Sequence, residues 1–472
     1  MTNPTPAVLE FFCRSALGAA LRWAAGLEWV AVAVAAPLLL FPTVHPRWTV
    51  VALGVLVAMW LLRWIVSRVP WPVTPFNGAL LLLALMMPVA IWISPLPELT
   101  LPKAAGLVLG LVAFRATVLA VHDRRSLGLA LAAFCLLGLA IIAVGAVAAR
   151  WPARVAALGA LTGRIPRLIT TLPELHGAAV NTNQIAGALT LYLPLAVALV
   201  EEWAFRRSTW ASRLFVLAGC VIFLALVAGV LVLTQSRSGW IGGAGGLLAL
   251  WALWGLSSPH RWMRLLGAAL PLVMVVVVVG GIFCAGPQRM GEILYGAESD
   301  AAVMTTVGSI SMAARVEIWT RALYVIRDFP FTGCGLGAFR RVVHALCPFS
   351  GIGPDQDIAH AHNIFLQTAL DLGLPGLVAY LALLVVAGMS CWRWARRGGP
   401  LARTVALGLA GGLVGLHVYG LADALALGCK PGLAFWLALG LVASLERVGE
   451  QERGGARERR SQGDRKGERR RF

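Results

Sequence analysis

Three residues of this chain combine a chemistry-bearing side chain with surroundings in which lipid makes it expensive: Arg237, Arg315 and His362. An arginine at membrane depth costs about 2.5–3.5 kcal/mol, so its company decides what it is for. Arg237 sits in Thr234-Gln235-Ser236-Arg237-Ser238-Gly239-Trp240, a polar island between two apolar runs. Its plainest use is snorkelling to the headgroups. The polar neighbours, with Gly239, Gly242 and Gly243 allowing close packing, favour a built anion pocket instead. Arg315 lies among Val316, Ile318, Trp319, Leu323 and Ile326, a spacing that suits an amphipathic helix lying on or against the membrane. Arg315, Trp319 and Ala322 share one stripe of that helix, where an arginine is otherwise a solvated face.

His360-Ala361-His362-Asn363 opens a long apolar run. Asn363 is a natural N-cap for a helix beginning at Ile364, which would hold His362 at the mouth of the membrane domain. Histidine is the base suited to neutral pH, while capping or a headgroup contact is the alternative use. His-x-His also fits a metal, but no suitably spaced third ligand stands out, so no metal and no cofactor are expected. Gly333-Cys334-Gly335-Leu336-Gly337 offers bare backbone N–H groups to a phosphate or, alternatively, makes a tight turn with positive φ. It is not a dinucleotide fingerprint, since no strand precedes it. Asn181, Asn183 and Gln184 enter another apolar run, where amides cap helices or hydrogen-bond sugar hydroxyls. Asp423 is a lone acid placed to pair with an arginine. Eight cysteines show no CxxC spacing. Cys334 and Cys347 share one polar loop, and their pairing depends on a Cα separation that spacing alone does not give.

The elements that carry these residues are membrane helices. With 472 residues, 59% hydrophobic and only 13% charged, the chain has about half the charge of a soluble protein. Its mean hydropathy is +0.78. Lipid offers backbone groups no partners, so an all-α polytopic membrane protein with about twelve transmembrane helices is expected. The spans centre near 26–42, 49–67, 76–94, 101–120, 126–148, 184–201, 212–233, 239–256, 264–285, 362–390, 401–421 and 431–446. The organisation follows: a cytoplasmic N-terminus over 1–25, a transmembrane catalytic domain over 26–446, and a large extracytoplasmic loop over 286–361 between helices 9 and 10. A charged, disordered cytoplasmic tail over 447–472 completes it. Most short-loop arginines (Arg63, Arg68, Arg124, Arg125, Arg206, Arg207, Arg213, Arg261, Arg264, Arg393, Arg396, Arg397) fall on one side, which places both termini in the cytoplasm. Arg47, Arg150, Arg154, Arg164 and Arg167 fall on the other. The net charge of +18 thus sets orientation and headgroup contact; no nucleic-acid-binding module accompanies it.

In order along the chain, Thr-Gln-Ser-Arg-Ser-Gly-Trp at 234–240, Arg-Val-Glu-Ile-Trp at 315–319, Asp-Phe-Pro-Phe-Thr-Gly-Cys-Gly-Leu-Gly at 328–337 and His-Ala-His-Asn-Ile-Phe-Leu-Gln at 360–367 resemble the O-antigen ligase and O-antigen polymerase superfamily. Asn181 to Gly187 is similar to that family's Asn-x-Asn-x-x-Ala-Gly entry to a span. The resemblance implies a GT-C-like, metal-independent glycosyltransferase of the bacterial inner membrane. Such an enzyme moves a glycan from undecaprenyl diphosphate to a glycan or lipid acceptor on the outer face. It implies catalytic roles for Arg237, Arg315 and His362. His360 matches a less constant position, and Asn181, Asn183, Gln184, Gln235, Asn363 and Asp423 are further substrate-binding candidates. Ligase, repeat-unit polymerase and protein O-oligosaccharyltransferase share the motif set. A secondary transporter, the alternative from another class, should show internal repeats and broken helices at midplane. No second half echoes the first here, and the singled-out ionisable residues gather at one surface.

Overall fold

The computed structural model describes residues 26–152, 155–165, 180–205, 209–295, 312–353 and 356–468. The expected N-terminal segment 1–25, the arginines Arg154, Arg167, Arg206 and Arg207, and loop residues 296–311 lie outside them. The described residues form helices α1 (Glu28–Leu40), α2 (Pro46–Ser67), α3 (Asn77–Ile93), α4 (Pro97–Ala120), α5 (Arg124–Ala148), α6 (Ala156–Thr162), α7 (Thr182–Phe205), α8 (Trp210–Leu233), α9 (Arg237–Leu256), α10 (Arg261–Tyr295), α11 (Met312–Asp328), α12 (Phe339–Leu346), α13 (Ile364–Arg397), α14 (Pro400–Gly420) and α15 (Leu433–Glu468). No strand occurs among them; the one extended pairing is an isolated bridge between Ala149 and Val180. The chain is therefore an all-α polytopic membrane protein. Among the described residues ten helices have the length and apolarity to cross a membrane, while α1 and α3 are shorter apolar helices. The tail expected to be disordered instead continues α15 as helix to Glu468.

Close backbone approach builds the centre. Gly242 and Gly246 of α9 face Gly415 and Gly411 of α14, and a Cβ on Gly242 would stand 2.7 Å from the Gly415 carbonyl oxygen. Without a hydrophobic driving force in lipid, such small-residue seams let helices gain dispersion contact. The seam sets the first turn of α9, which bears Arg237, beside the last turn of α14: Gly242 also meets Tyr419. A second core lies outside the bundle, where Ile318, Ala322 and Val325 of α11 pack with Phe339, Val343, Ile358 and Leu370. At the opposite end, Glu28 contacts Arg115 directly and Arg63 at 3.6 Å, joining α1, α2 and α4 in a buried ion cluster.

α13 is not one continuous helix. Gly373 (φ 70°, ψ 177°) interrupts it and leaves a short first segment, Ile364–Leu372. The freed Leu374 N–H donates to Pro330 O at 2.7 Å, and a Cβ on Gly373 would meet Phe331 O at 2.4 Å. Only glycine accommodates both the dihedral and the contact.

Candidate active site

Two motifs are built the same way. Gln235 (φ 50°) and His362 (φ 48°) are left-handed residues, each followed by an N-cap and then a helix. Ser236 caps α9 by accepting from Gly239 N, and Asn363 caps α13 by accepting from Phe365 N at 3.0 Å and Leu366 N at 3.1 Å. A non-glycine residue in this region costs of order 1–3 kcal/mol and persists only where its surroundings demand it. For His362 the demand is visible. Asn363 Nδ2 donates to Leu421 O at 3.1 Å, which ties the histidine turn to the turn that follows α14.

That tie brings both histidines onto Asp423. His362 Nδ1 lies 3.3 Å and His360 Nε2 3.6 Å from Asp423 Oδ1, with the two ring centroids 4.2 Å apart. The His362 ring is not aligned as a donor to Asp423 in this rotamer. Asp423 is 2% exposed. Burial alone would raise its pKa, but His362, His360 and Arg315 outweigh it and hold the carboxyl below the ordinary carboxylate range. Burial, the neighbouring His362 and the cations Lys103 and Arg315 push His360 down to about 3, so it is uncharged at neutral pH.

Arg315 corrects the reading of its helix. It is 5% exposed and buried with Ile318, Ala322 and Val325, while Val316 and Leu323 are the exposed residues. The stripe bearing Arg315 faces inward because the second core, rather than lipid or solvent, is what α11 packs against. Its charge reaches both His360 and Asp423. Arg237 opens α9 at the same end of the bundle. One turn on, Gly239 lies against Ala186 of α7, whose neighbour Gly187 lies against Tyr419. Asn183 and Gln184 belong to this first turn of α7, and Asn181 caps it by accepting from Asn183 N at 2.8 Å.

Several candidates hold protein rather than open space. The Gln235 amide donates to Pro152 O at 2.5 Å and accepts from Val155 N at 2.8 Å, fastening a loop. The glycine run makes a tight turn: Gly333, Gly335 and Gly337 all have positive φ, and Gly337 N–H donates to Asp371 at 2.8 Å. Gln367 joins the same network, accepting from Ala361 N at 2.8 Å and donating to Asp371 at 2.9 Å. The histidine turn, the first segment of α13 and the glycine turn are thereby locked together. Cys334 and Cys347 are free thiols, and burial pushes the Cys334 thiol up to about 12.

Sequence reading missed Lys103 and Asp371. Lys103 stands in the first turns of α4, its Nζ 3.0 Å from where a Cβ on Gly337 would lie, and its charge reaches His360 and Asp371. The available signal was a lysine inside an apolar span, a costly placement that also fits snorkelling at a helix end. His360, His362 and Asp423 offer ligand atoms within 4.8 Å of one another, a grouping that could hold a metal ion and that the distant position of Asp423 hides in the sequence. The cations Arg315 and Lys103 beside the group oppose a dication there and suit an anionic substrate.

Residues 220–381 match the family model described as O-antigen ligase. No curated protein matches the chain. The matched segment contains Arg237, Arg315, His360, His362 and Asn363, whereas Lys103 and Asp423 are brought to it by flanking helices. The match carries ligase- or polymerase-type function in general terms. Through residues 220–381, the chain is similar to the family described as O-antigen ligase.

Proposed function

We infer that the protein transfers a glycan from undecaprenyl diphosphate to an acceptor hydroxyl of the bacterial envelope, on the outer face of the inner membrane. The observation that carries this reading is the pair of histidines set on a buried carboxylate within reach of Arg315. The acceptor oxygen attacks the anomeric carbon as His362 takes its proton through Nε2, the nitrogen turned away from Asp423. The bond from that carbon to the phosphate oxygen breaks, and undecaprenyl diphosphate leaves with the electron pair. Arg315 and Arg237, each a planar fork, stabilise the charge growing on the diphosphate, with Lys103 as a third cation. Asp423 orients His362 and stabilises it when protonated. Asn183 and Gln184 are suited to sugar hydroxyls, while Gln235, Asn181 and Asn363 act by positioning backbone.

The orientation rests on charge. The end opposite the histidines collects Arg63, Arg68, Arg124, Arg125, Arg213, Arg261, Arg264, Arg393, Arg396 and Arg397, the pattern of a cytoplasmic face. Transfer to lipid A–core and transfer to a second lipid-linked unit use the same chemistry. Incubating the purified protein with undecaprenyl-diphosphate glycan and each acceptor, and identifying the product by mass, separates them. A glycan joined to neither acceptor, with the donor intact, would overturn the assignment.

A further inference from the structure

A cavity of about 400 Å³ lies on the other half of α4, away from the histidines. It is a trough between α1 and α5, floored by α4 and α15, and exists because Ala33, Ala113, Ala120 and Ala133 stand where larger side chains would fill it. Along α4 it runs from Leu109 to Ala120, roughly 16 Å at 1.5 Å per residue. That is about half of a ~30 Å hydrocarbon core, the depth of one leaflet. Its walls are apolar, and its mouth is not. Ser126 lines the trough where α5 begins, directly after the exposed Arg124 and Arg125. Asp123 caps α5, its carboxylate accepting from Ser126 N at 2.7 Å. Trp29, half-exposed, stands at the same end, as tryptophans do at membrane interfaces.

An apolar trough one leaflet deep with a basic mouth is complementary to an amphiphile with an anionic head and a single-leaflet chain. We propose that it binds an anionic glycerophospholipid of the leaflet opposite the histidine cluster. One acyl chain lies between α1 and α5, and the phosphate lies against Arg125 and Arg124. This site is independent of the transfer reaction. The lipid bridges α1, which otherwise packs on α2 and α4, to α5 and so steadies the N-terminal part of the bundle.

The test uses full-length protein stripped of lipid in neutral detergent. Melting temperature is followed against phosphatidylglycerol and against phosphatidylcholine of the same chains, and retained lipid is identified by native mass spectrometry. Phosphatidylglycerol should raise the melting temperature at about tenfold lower concentration than phosphatidylcholine, the preference expected of two mouth arginines. Arg124→Glu with Arg125→Glu should abolish that preference. Ala133→Phe, or Ala130→Phe if the first is poorly folded, should remove the response to both lipids while keeping the lipid-free melting temperature. Equal responses to the two lipids in the unaltered protein would overturn the proposal. So would a full phosphatidylglycerol response in a folded Ala133→Phe variant, or a retained lipid that proves to be a polyprenyl phosphate.

Discussion

Asp423→Asn removes one charge from the candidate site and almost no volume. Asp423 Oδ1 lies 3.3 Å from His362 Nδ1. At an effective dielectric of about 20, a carboxylate and a protonated imidazole at that separation attract by about 5 kcal/mol. The loss falls on the state in which His362 has taken the acceptor's proton, where the two charges face one another. If reorganisation of the neighbouring dipoles recovers up to half, the barrier rises by about 2.5–5 kcal/mol, or about 70- to 5,000-fold in rate. Donor affinity should change little, because the groups assigned to the diphosphate are Arg315, Arg237 and Lys103. The assay is single-turnover transfer from a labelled lipid-linked glycan, with donor binding measured separately. A variant within about threefold of the unaltered rate would refute the role given to Asp423, since the charge would then have no part in the proton transfer.

Other outcomes follow from the same geometry. His360 is held at about 3 against an ordinary value of 6.5, so the unfolded chain takes up a proton that the folded site refuses. Stability should therefore fall as pH drops below 6.5, by roughly 2 kcal/mol at pH 5 from this residue, and His360→Gln should flatten thermal melts over that range. Asp423, lowered in the fold, adds to the loss in the same direction at still lower pH. Gly373→Ala forces a Cβ to within 2.4 Å of Phe331 O at φ 70° and should cost roughly 2–4 kcal/mol, read as a depressed melting temperature. Arg237→Lys keeps the charge but loses the fork; donor affinity and rate should fall together by about tenfold, as titration and turnover would show.

Apolar run length made the membrane helices legible, because hydrocarbon thickness fixes how much chain each needs. Arg237, Arg315 and His362 stood out because polar groups are rare and costly in such a chain. What stayed hidden depended on tertiary approach. Asp423 read as a partner for an arginine; the charge of Arg315 does reach it, and it also faces two histidines that Asn363 pulls toward Leu421. Lys103 drew no attention in the sequence and proves to be a neighbour of the glycine turn. The break at Gly373 was invisible because an apolar run hides one glycine well, and only the packing of Phe331 against it demands the interruption. Which face of its helix Arg315 occupies stayed open for a related reason: periodicity shows that a helix has two faces without showing which one meets a second core.

In the proposed reaction everything turns on His362 as the residue that removes the acceptor's proton. The direct measurement pairs donor binding with transfer in purified His362→Ala, using undecaprenyl-diphosphate glycan and whichever acceptor the unaltered protein accepts. Binding should remain near the unaltered level while transfer drops by about 10²–10⁴-fold, the usual effect of losing a general base. Undiminished transfer, or loss of donor binding alone with the rate of bound donor unchanged, would contradict the account and return His362 to the role of holding the start of α13.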